Sequence, residues 1–196
     1  MSTNAEQASI KESRIGKKPV VIPAGVKVKI DGGEIEVVGP KGRLVTPIPA
    51  GVSVEENDGQ LRLRVERGED RARHGLGRAL LANAIKGVTE GFTIELDIVG
   101  VGYKVEQRGT RLVFSLGYSH QVDFVPPPGI EIKIERKQKP GLNQYQTTLI
   151  VSGIDKQVVG QACANLHSLR RPDAYKGKGV RYAGQPMKLK PGKSAK

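Results

Sequence analysis

Residues 34–54 read EIEVVGPKGRLVTPIPAGVSV, and residues 112–132 read LVFSLGYSHQVDFVPPPGIEI. Laid over one another at an offset of 78, Gly39 falls on Gly117, Leu44 on Val122, Pro49 on Pro127, Gly51 on Gly129 and Val52 on Ile130. A second collinear block follows at an offset of 85. There residues 63–65 meet 148–150, Asp70 meets Asp155, Gly75 meets Gly160, Ala79 meets Ala164 and Leu81 meets Leu166. The seven additional residues are assigned to the turn-rich stretch KQKPGLNQY, residues 137–145. One block could arise by chance; two, separated by a single loop insertion, indicate a duplicated unit.

Each copy reads as short alternating strands closed by one helix. The strands are expected at 27–30, 34–38 and 61–65 in the first copy. In the second they are expected at 93–99, 103–106, 111–116, 130–134 and 147–151. Their β-branched content and the turns DGG, PKG, NDG and RGT predict antiparallel hairpins. The second helix is expected over 155–169, with Val158, Val159, Ala162, Cys163, Leu166 and Leu169 at helical spacing on one face. Ser152, three residues before Asp155, is read as a capping box. The first helix is expected from about 69 to 86, with Ala72, Leu76, Leu80 and Ala84 as its apolar stripe. The fold class is therefore α+β: two tandem duplicated domains, each a mostly antiparallel sheet covered on one face by a helix. KGVTEGF, residues 86–92, is the junction. The domains are placed at 13–88 and 89–171, with a disordered extension 1–12 before them and a basic tail 172–196 after.

Charge is distributed unevenly. The chain has 196 residues and a formal net charge of +12. From 170 to 196 there are nine basic residues (Arg170, Arg171, Lys176, Lys178, Arg181, Lys188, Lys190, Lys193, Lys196) and one acid, Asp173. A basic block beside a near-neutral body points to a polyanionic partner; the competing reading is a merely solvated terminal run. A single cysteine, Cys163, excludes an internal disulfide and suits a reducing compartment. No apolar run approaches the ~20 residues of a membrane span, and residues 1–18 lack the apolar region of a signal peptide. The expected address is the cytoplasm.

Reaction chemistry finds no place. Gly192, Lys193 and Ser194 resemble the end of a phosphate-binding loop, but Met187 stands where the motif needs its first glycine. GVGYKV, residues 100–105, lacks the third glycine of a dinucleotide fingerprint. His74, His120 and His167 have no partners at metal-ligand spacing. Cys163 lies on an apolar stripe, where a small buried filler is expected rather than a nucleophile. Asp70 and Asp155 sit at helix starts, where they offset the dipole. No enzyme, cofactor or metal is expected.

The stretch RRPDAYKGKGVRY, residues 170–182, carries the functional signal. Gly177 and Gly179 remove side-chain bulk so that backbone can approach a phosphate–sugar chain. Lys176, Lys178 and Arg181 supply charge, and Tyr175 and Tyr182 can stack on bases or donate hydrogen bonds. That combination suits RNA read by shape better than a DNA major groove.

At these residues the chain resembles bacterial-type large-subunit ribosomal protein six. Its closing signature, Pro-acid-Pro-Tyr-Lys-Gly-Lys-Gly-Ile-basic-Tyr, is matched by PDAYKGKGVRY. SRIGKKPV (13–20) and GIDKQVVGQACANL (153–166) are also similar to family segments, and the resemblance covers about 13–191. Ala174 replaces the family's usual proline, which makes the loop entry less rigid.

The resemblance implies two related α+β domains and a structural role on 23S rRNA near the factor-binding region of the large subunit. It implies neighbouring ribosomal proteins as partners, translation factors by proximity, and residence on the cytoplasmic ribosome. The RNA-facing set it implies is Arg170, Arg171, Tyr175, Lys176, Gly177, Lys178, Gly179, Arg181 and Tyr182, with Lys156 a further member. The rival readings are a free-standing RNA- or DNA-binding regulator and a nucleotide-dependent enzyme. A chain ended after Leu169 is expected to keep its fold and to lose salt-dependent RNA binding.

Overall fold

The computed structural model describes residues 12–65, 67–135 and 146–193. The expected extension 1–12, apart from Glu12, and the insertion 137–145 lie outside the described residues. The chain divides into two compact units, Met1–Gly91 and Phe92–Lys196.

In the first unit the strands are β1 (Val20–Val21), β2 (Lys27–Asp31), β3 (Glu34–Gly39), β4 (Gly42–Pro47), β5 (Val52–Asn57) and β6 (Gln60–Val65). A turn at Gly68–Asp70 leads into helix α1 (Arg71–Thr89). β2, β3 and β4 form one antiparallel meander, and a second sheet has the order β1-β6-β5. The two-residue turn Asp58–Gly59 joins β5 to β6 with φ of +50° and +71°. Such backbone suits Asp-Gly and matches the twist of a tight hairpin.

The second unit repeats this plan. Its strands are β7 (Phe92–Val99), β8 (Lys104–Arg108), β9 (Arg111–Ser115), β10 (Val122–Phe124), β11 (Ile130–Glu135) and β12 (Gln146–Gly153), followed by α2 (Lys156–Leu169) and β13 (Gly179–Tyr182). β8-β9-β10 corresponds to β2-β3-β4, and β11-β12-β7 corresponds to β5-β6-β1, with β13 added outside β7. The duplicated α+β class is present. Each copy contains two small sheets where one was expected, and β1, β4, β5, β10 and β13 are strands that the alternation of residues did not signal.

Strand register corrects the internal alignment. Val52 pairs with Val65, and its counterpart Ile130 pairs with Gly153. β6 and β12 are therefore displaced by 88 positions, whereas the helix N-caps Asp70 and Asp155 remain 85 apart. The difference is three, an odd number, and an odd slip exchanges the faces of a strand. Leu63, buried beside Gly77 of α1, corresponds to the core residue Val151 and not to Thr148. The second copy thus gains ten residues in the β11–β12 connection and loses three before its helix.

Helix α1 is rotated from its expected face. It buries His74, Gly77, Leu81, Ala84, Ile85 and Val88, while Leu76 is 52% exposed and Ala72 is exposed. His74 turns inward because its Nε2 hydrogen-bonds the Leu63 carbonyl oxygen at 3.0 Å. Gly77 lets the helix approach β6: a Cβ there would lie 3.0 Å from Leu63 and 3.3 Å from Pro49. A histidine and a glycine define this face, and a search for apolar periodicity passes over both.

In α2 most of the expected stripe holds. Val159, Ala162, Cys163 and Leu166 are buried in one cluster with Leu96, Ile98, Leu149, Val151 and Val180, and the half-buried Leu169 packs against it, whereas Val158 is half-buried outside it. The capping box does not form. Ser152 lies in β12 and its hydroxyl donates to Glu131 O (3.4 Å), while Asp155 itself caps the helix by accepting from Gln157 N at 2.7 Å. Aspartate is a good N-cap acceptor and needs no serine upstream.

Residues 179–182, read as part of a tail, form the edge strand of the second unit. β13 pairs with β7 from Gly179↔Val99 to Tyr182↔Leu96, and Val180 is fully buried in the core. Truncating Val180 to alanine removes buried methyl groups and is expected to destabilise the second unit by about 2 kcal/mol. A chain ended after Leu169 is expected to lose more, contrary to the reading from sequence, because the strand pairing goes as well. Urea unfolding of both variants checks this; a truncated chain with an unchanged midpoint would contradict the placement of β13.

Candidate nucleic-acid interface

The glycine–lysine segment is a closed loop. Beyond α2, Arg170 takes extended backbone (φ −151°), and its carbonyl accepts from Val180 N at 2.8 Å. Asp173 then organises the turn. Its Oδ2 accepts from Lys176 N (2.8 Å) and Tyr175 N (3.2 Å), and its carbonyl accepts from Gly177 N (2.9 Å). Asp173 N donates to Lys178 O at 2.9 Å and completes the ring. The lone acid of the basic block is thus the residue around which the loop is wound.

The two glycines serve the protein's own packing. Both are buried, with φ of +66° at Gly177 and +147° at Gly179. A Cβ on Gly179 would stand 2.7 Å from Pro172 Cα and 2.8 Å from Arg171 O, so only glycine fits. The chain then returns along the loop. Lys190 N donates to Ala174 O at 2.9 Å, and Met187 and Leu189 reach to within 4 Å of where a Gly177 side chain would begin. The segment that carries Lys188 and Lys190, read from sequence only as charge, is thereby laid along the segment that carries Lys176 and Lys178.

Within this frame the expected site residues divide. Lys176, Arg171 and Tyr175 are exposed, Tyr175 by 56%, and Lys178 is half-buried. Arg181 lies opposite Asp97 in the β13–β7 register, and its Nη1 approaches Met187 Sδ at 3.9 Å. Tyr182 is half-buried and stacks on His167, with ring centroids 5.5 Å apart and 24° between planes. Burial, with a smaller effect of Cys163, pushes its phenol above the ordinary tyrosine value. One face of Tyr182 is therefore occupied by the protein. Lys156 opens α2 with its Nζ 5.8 Å from the Phe92 ring centroid. A helix of this length places it about 20 Å from Arg170, so it does not join the loop.

Sequence reasoning also missed Tyr118. The Arg170 guanidinium lies 4.6 Å from the Tyr118 ring centroid. Hydrogen bonding to Tyr118 and the nearby Tyr103 push the guanidinium further above its already high ordinary value. The residues are 52 positions apart, and no local spacing signals such a pairing.

The loop's chemistry is that of a cation-bearing surface. A nucleotide-binding loop presents free backbone N–H groups to phosphate, but here those of residues 175, 176 and 177 are all engaged by Asp173. Cys163 is fully buried, and burial pushes its thiol up to about 11; it packs the core. Among the described residues no group of three or more His, Cys, Asp or Glu side chains is placed to hold a metal ion. No described helix is long and apolar enough to cross a membrane.

Two outcomes follow for stability and reactivity. Gly179→Ala is expected to cost about 3 kcal/mol or more, adding a backbone clash to the strain of a positive φ. Gly184→Ala meets open space at φ +75° and is expected to cost only about 1 kcal/mol. Denaturant titrations of both variants compare them, and equal losses would contradict the close approach at Pro172. Cys163 is expected to resist iodoacetamide at pH 8 in the folded chain and to react once urea unfolds it; rapid native labelling, read by mass spectrometry, would contradict its burial.

A family model described as ribosomal protein L6 matches residues 22–91 and 99–183, one stretch in each copy. The chain is 49% identical to the large ribosomal subunit protein uL6 of Acidobacterium capsulatum over 183 residues, covering 93% of this chain and 98% of the relative. It is 49% identical over 189 residues to the uL6 of Persephonella marina, with 93% and 98% covered. With the uL6 of Nostoc it shares 45% over 186 residues, with 94% and 97% covered. Both repeats match one family description, and near-half identity extends over almost the whole of each chain. This chain belongs to the ribosomal protein L6 family and is a structural component of the ribosome, not an enzyme.

Proposed function

We propose that the chain is a constituent of the large ribosomal subunit that binds 23S rRNA through its second unit, near the factor-binding region. The contact is made by the closed loop 173–178, the strand β13 and the returning segment 187–190. Arg170, Arg171, Tyr175, Lys176, Lys178 and Arg181 face the RNA, and the buried Gly177 and Gly179 shape the backbone that carries them. Neighbouring large-subunit proteins complete its surroundings, translation factors pass close by, and the cytoplasmic ribosome is its location.

One observation carries this reading. Lys176, Lys178, Lys188 and Lys190 stand on two segments tied together by the Lys190–Ala174 hydrogen bond, so four cations are held on a fixed scaffold. Fixed cations follow the spacing of phosphates on a folded RNA and read its shape, whereas a floppy run attracts any polyanion. The described helix of the second unit, α2, has Lys156 as its one lysine or arginine and so presents no comparable basic face for a DNA groove, which disfavours a free-standing DNA-binding regulator.

Replacing all four lysines by glutamine should lower the slope of log affinity against log salt by about 3 to 4, at roughly 0.7–0.9 per phosphate contact. Filter binding to a bacterial 23S rRNA transcript at several salt concentrations measures it, and the urea midpoint should stay unchanged. An unaltered slope would move the contact away from this scaffold.

A further inference from the structure

The connection between β9 and β10, GYSHQ at residues 117–121, holds two aromatic rings that the basic loop does not use. Tyr118 is 42% exposed, and its hydroxyl donates to Leu169 O at 3.0 Å. That bond satisfies a carbonyl at the end of α2 and pins the connection to the point where the basic loop begins. The Arg170 guanidinium lies 4.6 Å from the same ring's centroid. His120 stacks on Tyr118 at 5.8 Å with 16° between the planes. His120 is exposed and makes no hydrogen bond or ion pair among the described residues.

We propose that Arg170, Tyr118 and His120 form a stacking platform for one unpaired RNA base, with His120 as its outer step. The proposal rests on the RNA-binding reading above and adds to it a contact of different chemistry. Three flat groups are already assembled, so little ordering is required when a fourth arrives. The immediate neighbours Gly117, Ser119 and Gln121 are exposed and carry no apolar side chain. That surround offers nothing to an apolar side chain of a protein partner. A nucleobase, by contrast, presents a flat π-face to the rings and polar edges to the surround and to water. Arg170 adds a cation against the Tyr118 ring, close to where the phosphates on the neighbouring loop would lie. The phosphate-holding loop starts at Asp173, three residues beyond Arg170, so a single strand can bridge both.

The test uses the full chain and a bacterial 23S rRNA transcript. His120 holds its place by stacking alone, so His120→Ala leaves the fold intact, as an unchanged urea midpoint will verify. It should weaken binding by roughly fivefold or more, the loss of part of one base stack. The salt slope should not change, because stacking releases no counterions. His120→Phe, which stacks but carries no charge, should restore affinity. Wild-type affinity in His120→Ala would overturn the platform. So would a His120→Phe variant that stays weak with a slope lowered by about one, which would mark a charge contact instead. If the unaltered chain fails to bind the transcript, the RNA-binding reading itself falls and the platform with it.

Discussion

The pairing of β13 with the outer edge of β7 is the constraint on which the basic loop and the proposed interface depend. It places Val180 in the core and seats Gly179 against Pro172, and it fixes both ends of the loop between them. The loop is short and internally hydrogen-bonded, so its lysines are carried on a domain and not on a tether. Ordering a flexible segment would cost on the order of 1 kcal/mol per residue at the moment of binding. Here folding of the second unit has already met that cost. Asp173 shows how charge and architecture are reconciled: a carboxylate inside a basic block weakens attraction for a polyanion, yet it supplies the acceptors that shape the turn.

Comparison of the two copies shows where specialisation entered. The shared plan is a three-strand meander, a three-strand sheet and one helix. In the first unit the edge strand β1 has two residues, whereas its counterpart β7 has eight. A long open edge is a template for unwanted pairing, and β13 covers the outer half of this one, from Leu96 to Val99. The same strand therefore protects the sheet and positions the cations. Among the described residues the first unit has no equivalent of β13.

Much of this organisation was legible in the residues, and the failures have physical causes. Turns written with Asp-Gly and Pro-Lys-Gly fell where expected because positive φ and a fixed proline φ leave few alternatives. The α2 stripe was readable since its core positions are aliphatic or cysteine. The α1 face was not, because a buried histidine and a close-packed glycine do its work. Matching β6 to β12 by identity chose the wrong face, since a strand's period of two punishes an odd slip that residue similarity does not register. The glycines of the loop were singled out for close approach to a ligand, and the fold makes its own demand on both: Gly179 abuts Pro172 and Gly177 takes a positive φ. Tyr182 looked available and is stacked on His167. Tyr118 and Arg170 meet only because the β9–β10 connection packs at the end of α2, a tertiary fact with no local trace.

The central claim is that the basic loop is ordered by the protein itself. Amide hydrogen exchange on the RNA-free chain tests it most directly. Val180 N, Gly177 N and Lys190 N donate to Arg170, Asp173 and Ala174, and the account predicts slow exchange at all three, with Val180 as protected as the central amides of β12. Exchange at the rate of an unstructured peptide at these positions, with β12 still protected, would contradict it and return the segment to the status of a tail.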